Sequence, residues 1–186
     1  MKHFIDIHDL SPGDLNQIFQ LARDIRSNGS NCLANKSVGL IFEKPSNRTR
    51  LSFEIATQKC QATPMMIDVE TSSLTKGESL LDMVQNISAM NTDAMIIRHA
   101  NGGVPHFISQ HVPIPVINAG DGYHEHPSQG LLDLFTMTEN LGDLNGKHVL
   151  ILGDIMHSRV AKSNICLGPI LKGTVKPFLL SLALLN

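Results

Sequence analysis

Short apolar runs alternate with helix-like segments along most of this chain of 186 residues. Strands are predicted at residues 38–42, 64–68, 94–98, 116–119 and 149–152. Helices are predicted at residues 50–59, 78–90, 104–111, 128–141 and 158–167, after a first helix that begins at Pro12 with Ser11 as its N-cap. Strands separated by helices need crossover connections, which make neighbouring strands parallel. The pattern therefore predicts an α/β fold: a mainly parallel sheet with helices on both faces.

Composition narrows the class of ligand. The net charge is −2 and there is no Trp, so neither a basic surface nor a stacking platform for nucleic acid is indicated. The cysteines Cys32, Cys60 and Cys166 are odd in number and far apart in sequence, which indicates no disulfide framework and fits a reducing cytoplasm. The apolar tail at residues 177–185 is shorter than the roughly 20 residues of a membrane span. We expect a cytoplasmic protein with no nucleic-acid or membrane partner.

The segment Ser46-Asn47-Arg48-Thr49-Arg50 lies between the strand at 38–42 and a helix. A helix that starts here aims unpaired backbone N–H groups and the positive end of its dipole at one point. The Arg48 guanidinium can bind phosphate oxygens through two hydrogen bonds. Arg50 has a structural alternative, because Glu54 lies four residues further on the same helix face. The segment predicts a site for a phosphorylated small molecule.

The loop Asn118-Ala119-Gly120-Asp121-Gly122 partly matches a dinucleotide fingerprint, but Glu125 occupies the place of the third glycine. No nicotinamide or flavin cofactor is therefore predicted. His124-Glu125-His126 could form half a metal site only if His99, His157 or Asp154 completed it, and no supporting Cys/His spacing exists, so we assign no metal. Alternatively, His126 stays neutral beside the start of the helix at 128–141 and donates a hydrogen bond to a substrate oxygen.

Two further segments carry no function when taken alone. The stretch from Ser72 to Glu78, which contains Lys76, is typical of a solvated loop with capping serines, and Arg98-His99 is typical of an exposed strand end.

Together, however, these segments resemble one family. The residues from Ser46 to Arg50, followed by Leu51-Ser52-Phe53-Glu54, are similar to the Ser-Thr-Arg-Thr-Arg signature of the carbamoyltransferases. Five further segments in order resemble the aspartate carbamoyltransferase branch, catalytic chain: residues 76–78, 97–99, 118–122, 126–129 and 153–161. The resemblance extends from residue 1 to about Asn164.

Three departures from the family pattern keep alternatives open. Asn47 and Ser128 each stand where that pattern has Thr, and an extra residue before Ser46 resembles the ornithine branch. That branch, however, has Cys in place of Ser128 and lacks the Gly-Asp-Gly loop. The alternatives are therefore an ornithine carbamoyltransferase and a catalytically inactive carbamoyltransferase-like subunit that serves assembly.

The resemblance also implies a domain division. Residues 1–143 would form a carbamoyl phosphate-binding domain, and residues 144–186 the incomplete start of an aspartate-binding domain. After Asn164 the family pattern dissolves, and Gly168-Pro169 interrupts a helix that should continue. We expect a truncated or frame-shifted chain with an atypical apolar tail.

The implied activity is transfer of the carbamoyl group from carbamoyl phosphate to L-aspartate, an early step of pyrimidine biosynthesis. By resemblance, the carbamoyl phosphate-binding residues are Ser46, Asn47, Arg48, Thr49, Arg98, His126 and Gln129. Arg48, Thr49 and His126 would be catalytic, donating hydrogen bonds to the carbonyl oxygen as it gains charge. Arg159 and Lys76 would bind aspartate. Ser72 and Lys76 would come from a neighbouring subunit, which implies a homotrimer with shared active sites. Regulatory chains and other pyrimidine enzymes are candidate partners.

Overall fold

The computed structural model describes residues 3–43, 47–67 and 79–168, together with the backbone of 174–179. The helices are α1 Pro12–Asn28, α2 Asn47–Lys59, α3 Leu80–Ala89, α4 Val104–Ser109, α5 Pro127–Leu141 and α6 Arg159–Leu167, with a short 3-10 helix at Ile7–Asp9. The strands are β1 Ser37–Phe42, β2 Thr63–Ile67, β3 Ala94–His99, β4 Val116–Asp121, β5 His148–Gly153 and β6 Thr174–Leu179. Ser46, Ser72 and Lys76 lie outside the described residues.

The first four strands form one parallel sheet in the order β2-β1-β3-β4, and β5 pairs with β6 in a second parallel sheet. The prediction of a parallel α/β fold is therefore confirmed. The strand order reverses between β1 and β3, so the crevice that such sheets offer to ligands lies at the carboxyl ends of these two strands. Phe42 and Arg98 are paired at that position.

Neighbouring residues of β1 point to opposite faces of the sheet, and both faces are covered. Ile41 packs in a cluster with Met83 and Val84 of α3 and Ile108 of α4. Leu40 belongs to a second cluster, against which Phe53 of α2 packs. A third cluster joins α1, α5, α6 and the 3-10 helix, and includes Ile7, Leu15, Leu134 and Leu167. This third cluster fixes α6 against α5 beside the crevice.

Several element boundaries differ from the predictions. The helix expected at residues 50–59 begins at Asn47, so the helix includes most of the anion-site motif. The strand expected to end at residue 119 continues to Asp121. The helix expected to reach residue 111 ends at Ser109.

The tail holds a strand that was not predicted. The strand β6 pairs with β5 along the whole length of both strands. The sequence analysis expects only an atypical apolar tail after Asn164. Pro177 in β6 cannot donate a backbone hydrogen bond, which masked the strand pattern. The end of α6 at Leu167, with Gly168 as its C-cap, agrees with the predicted interruption.

Two of the three cysteines are neighbours in the fold. The Leu33 amide donates to the Cys60 carbonyl at 3.2 Å. Burial raises the pKa of the Cys60 thiol, and the adjacent Cys32 raises this pKa further. Both Cys32 and Cys60 are free cysteines.

Among the described residues, no helix has both the length and the apolar character needed to cross a bilayer.

Candidate active site

A cleft of about 640 Å³ opens at the carboxyl ends of β1, β3 and β4. We call it the arginine cleft. Its lining includes six residues that the sequence pointed to: Arg48, Thr49, Arg98, His126, Gln129 and Arg159. These residues come from α2, β3, the start of α5 and the start of α6, and so from four separate strand ends or the helices that follow them. Four of the candidate segments, at residues 46–50, 98–99, 126–129 and 153–161, therefore each contribute at least one residue to one cleft.

The start of α2 forms one wall of the arginine cleft. Asn47, Arg48 and Thr49 are the first three residues of the helix, and its first turn contains no acidic side chain. The first backbone N–H groups of a helix lack intrahelical acceptors and carry the positive end of the dipole. Asn47 is exposed and does not line the cleft with its side chain, unlike Arg48 and Thr49. This wall is suited to an anion.

Arg98 lines the cleft near the end of β3, between Thr49 and His126. Its Nη1 donates to Thr49 Oγ1 at 3.3 Å and to the Ala119 carbonyl at 3.2 Å, and lies 3.4 Å from His126 Nε2. Burial, followed by the charge of Arg159, lowers the pKa of Arg98 to about 10, so this side chain is still charged at neutral pH.

None of the arginines Arg48, Arg98 and Arg159 forms an ion pair with a carboxylate in the described ranges. Burial also lowers the pKa of Arg159, while Asp121 opposes that effect. Arg98 and Arg159 are half-buried and their charges repel each other, and an anion bound between them relieves both the repulsion and the lost solvation. The positive charge of the cleft therefore favours the binding of an anionic ligand.

His126 is the N-cap of α5 and is only 6% exposed. Burial, followed by the charges of Arg98 and Arg159, lowers its pKa to about 4, so the imidazole is neutral at pH 7. Ser128 Oγ lies 3.2 Å from Nδ1. A hydroxyl can donate or accept, so Ser128 supports either tautomer: Nε2 accepts from Arg98, or carries the proton and donates into the cleft. His126 is thus neutral, which is the protonation state that the sequence analysis expects for a hydrogen-bond donor at this helix start.

The loop after β4 brings Arg159 and His126 together over a glycine. Gly120 has φ +113°, and a Cβ atom there would lie 3.2 Å from Arg159 Cζ and 3.3 Å from His126 Cδ2. The loop is held by Asn118 and Asp121, both buried, whose side chains are joined by a 2.9 Å hydrogen bond from Asn118 Nδ2 to Asp121 Oδ1. Gly120 therefore lies directly against two cleft residues, and a larger residue there would strain the backbone and displace Arg159 or His126.

Local sequence spacing does not indicate the residues that support His126 through its backbone and through the neighbouring Glu125. The His126 backbone N–H donates to Ser163 Oγ at 2.9 Å, and Ser163, which is fully buried, also contacts Glu125 Oε2 at 3.3 Å. Gly130 allows this approach of α6 to α5, since a Cβ on it would lie 3.1 Å from Ser163 Cβ. These contacts join residues more than thirty positions apart, so no sequence period indicates them.

Possible metal ligands cluster away from the arginine cleft. Within the described ranges, two groups have ligand atoms within 4.8 Å of one another: Asp6, His124 and Glu125, and His8, Glu125 and Cys166. Neither group includes His126, His99, His157 or Asp154, so the hypothetical completion of a His124–His126 site is not what the fold builds.

The fold and the cleft define an α/β protein with a positively charged ligand site at the switch point of a parallel sheet. Residues 2–139 match the sequence model of the aspartate/ornithine carbamoyltransferase family, carbamoyl-P binding domain. The chain belongs to the aspartate/ornithine carbamoyltransferase family.

Relatives and solved structures agree with this assignment. The aspartate carbamoyltransferase catalytic subunit of Caldicellulosiruptor bescii is 47% identical over 171 residues, which cover 89% of this chain and 56% of the relative. That of Opitutus terrae is 45% identical, with 88% and 54% covered. The chain thus spans about half the length of these curated relatives.

Among solved structures, aspartate transcarbamoylase from Trypanosoma cruzi in complex with carbamoyl aspartate and phosphate gives a TM-score of 0.88 at 28% identity, covering 98% of this chain and 61% of that chain. Ornithine carbamoyltransferase from Pyrococcus furiosus gives 0.87 at 26% identity, with 96% and 57% covered.

Proposed function

We propose that this chain is the carbamoyl phosphate-binding part of an aspartate carbamoyltransferase catalytic chain. Residues 1–143 would bind carbamoyl phosphate, and residues 144–186 would begin the aspartate-binding domain. The observation that carries the proposal is the meeting in one cleft of a neutral imidazole and three arginines that form no ion pair with a carboxylate of the described residues. The names of the relatives favour aspartate over ornithine as the acceptor.

Binding of the phosphate group would use the start of α2 and two arginines. The backbone N–H groups at the helix start, the Arg48 guanidinium and the Thr49 hydroxyl offer donors to phosphate oxygens. Arg98 would turn from its present contacts with Thr49 and Ala119 toward the same oxygens. Ser46, which precedes the helix, is assigned to this group by resemblance alone.

The chemistry needs no covalent nucleophile, because the amine of aspartate attacks an acyl group that phosphate already activates. As the amine adds, the carbonyl oxygen gains negative charge. When the tetrahedral centre collapses, the C–O bond to phosphate breaks, and phosphate leaves with the proton that the amine loses. His126, carrying its proton on Nε2 with Nδ1 accepting from Ser128, would donate to that oxygen beside Arg48 and Thr49. The cleft contributes position and electrostatic stabilisation.

Aspartate would bind beside the carbamoyl phosphate. A second cleft of about 380 Å³ shares Arg98 and Arg159 with the arginine cleft, which supports a carboxylate of the second substrate at Arg159. Ser72 and Lys76 would complete the site from a neighbouring subunit, in a cytoplasmic homotrimer that acts in pyrimidine biosynthesis.

The test is calorimetric titration of the chain with carbamoyl phosphate, followed by product analysis with L-aspartate and L-ornithine supplied separately. We expect saturable binding, and any product should be carbamoyl aspartate. Carbamoyl ornithine as the main product would establish the ornithine branch instead. Failure to bind carbamoyl phosphate at millimolar concentration would reject the proposed function and favour an assembly role.

A further inference from the structure

Hydrogen bonds connect the side chain of Gln129, through that of Asp133, to Asn164 of α6. Gln129 Nε2 donates to Asp133 Oδ1 at 2.8 Å, and Asn164 Nδ2 donates to Asp133 Oδ2 at 2.8 Å. Asn164 Nδ2 also donates to the Val160 carbonyl at 3.1 Å. Gln129 and Asp133 lie one turn apart on α5 and both line the arginine cleft.

Hydrogen-bond chemistry fixes how both amides are turned. Asn164 contacts two acceptors, a carboxylate and a backbone carbonyl, so its NH₂ group must be the one that faces them. The Asp133 carboxylate also only accepts, so Gln129 must present its NH₂ group to it. The amide oxygen of Gln129 is then the atom for which the described residues provide no hydrogen bond, on a side chain that lines the cleft.

We infer that Asp133 and Asn164 are positioning residues that hold the Gln129 amide with its oxygen available to the ligand, and so select an acyl phosphate whose acyl carbon carries an N–H group. The inference rests on the proposed function, and deepens it by assigning the origin of the preference for a carbamoyl group. Neither residue needs to touch the ligand for this role.

Carbamoyl phosphate and acetyl phosphate are matched probes, because they differ only by an NH₂ group in place of a methyl group. The Gln129 oxygen can accept a hydrogen bond from the former alone. Inorganic phosphate reports the phosphate group without the acyl group. Titrating the full chain with all three therefore separates recognition of the acyl substituent from phosphate binding.

The variant is Asp133→Asn, which keeps the side-chain shape. Because Asn164 offers two donors, Asn at position 133 must turn its oxygen toward Asn164 and its NH₂ toward Gln129. Gln129 then reverses and points its own NH₂ at the carbamoyl NH₂. We expect the preference for carbamoyl over acetyl phosphate to fall by roughly ten- to a hundredfold, the usual effect of opposing two buried donors. Phosphate affinity should stay within about twofold of the parent chain.

The chain offers a matched control. Gln20 Nε2 donates to Asp24 Oδ1 at 3.1 Å with the same spacing on α1, exposed to solvent. Asp24→Asn therefore makes the same charge change and the same loss of a carboxylate partner away from the cleft. We expect it to leave all three affinities unchanged.

A double variant distinguishes a reversed Gln129 amide from a general loss of structure around position 133. In Asp133→Asn combined with Asn164→Asp, the new carboxylate accepts from the NH₂ of position 133, whose oxygen then faces Gln129 again. We expect the double variant to regain part of the lost preference. A merely structural role of Asp133 predicts a further loss instead.

The outcomes separate the two proposals. If the parent chain binds neither acyl phosphate, the proposed function fails whatever the variants do. If the parent chain binds both acyl phosphates equally, the inference about the carbamoyl preference is overturned while the proposed function stands. If the parent prefers carbamoyl phosphate and Asp133→Asn keeps that preference, the positioning role is overturned while the proposed function stands. Should Asp133→Asn not fold, Asn164→Asp alone replaces it: two facing carboxylates repel, Asp133 turns away, and an undiminished preference would again overturn the inference.

Discussion

The titration of His126 connects the electrostatics of the cleft to a measurable stability. The pKa of this imidazole is lowered from 6.5 to about 4 in the folded chain, mainly by burial. At pH 7 and above, the imidazole is mostly neutral in both the folded and the unfolded chain, so its titration hardly changes the free energy of unfolding there. As the pH falls below 6.5, the unfolded chain takes up a proton that the folded chain does not, and folding is weakened.

The size of this effect follows from the difference between the two pKa values. One pKa unit corresponds to about 1.4 kcal/mol, so the free energy of unfolding should fall by about 2.5 kcal/mol between about pH 7.5 and about pH 4.5 on account of His126. This is a large part of the 5–15 kcal/mol, as an order of magnitude, that stabilises a typical domain.

The measurement is urea unfolding across this pH range for the parent chain and for His126→Gln, which cannot titrate. The pH-dependent part of the difference between their unfolding free energies isolates the imidazole from the other histidines. Nuclear magnetic resonance of the His126 ring gives the folded pKa directly. A folded midpoint near the ordinary value of 6.5, or a difference between the two chains that does not vary with pH, would refute the reasoning.

Three further predictions concern single positions. Arg48→Ala should weaken inorganic phosphate binding by roughly ten- to a hundredfold, measured by calorimetry, whereas the equally charged Arg50→Ala should not; equal losses would contradict the assignment of Arg48. Gly120→Ala should weaken carbamoyl phosphate binding, because its Cβ crowds a guanidinium and an imidazole, while Gly142→Ala, also at positive φ but in open space, should lower thermal stability alone. Ser163→Ala should cost about 1–3 kcal/mol of unfolding free energy, because a buried backbone N–H loses its acceptor; a change below about 0.5 kcal/mol in urea unfolding would show that this contact is dispensable.

The features that the sequence revealed are those carried by local pattern. The alternation of strands and helices predicted the parallel sheet, and the ends of parallel strands necessarily share one edge, so the meeting of Arg48, Arg98 and His126 could be anticipated. The sequence predicted the start of α2 three residues too late, because the polar run Ser-Asn-Arg-Thr is typical of a turn, whereas α2 begins at Asn47.

The supporting contacts could not be anticipated in the same way. Asp133 was detectable in principle, since it lies four residues after Gln129 on one helix, but its second partner Asn164 depends on how α6 packs against α5. The same holds for Ser163, whose contact with the His126 backbone spans thirty-seven positions. Tertiary packing determines such pairs, and no local spacing encodes it.

The attachment of α6 to His126 and to the Asp133–Gln129 pair has a thermodynamic consequence. This helix begins with Arg159, and further along it carries Ser163 and Asn164, which hold His126 and the Asp133–Gln129 pair. Any ligand that shifts α6 through Arg159 must therefore change the free energy of binding a second ligand at His126 and Gln129. By linkage, the second ligand changes the affinity of the first by the same factor, so the coupling between the two ligands is carried by one nine-residue helix.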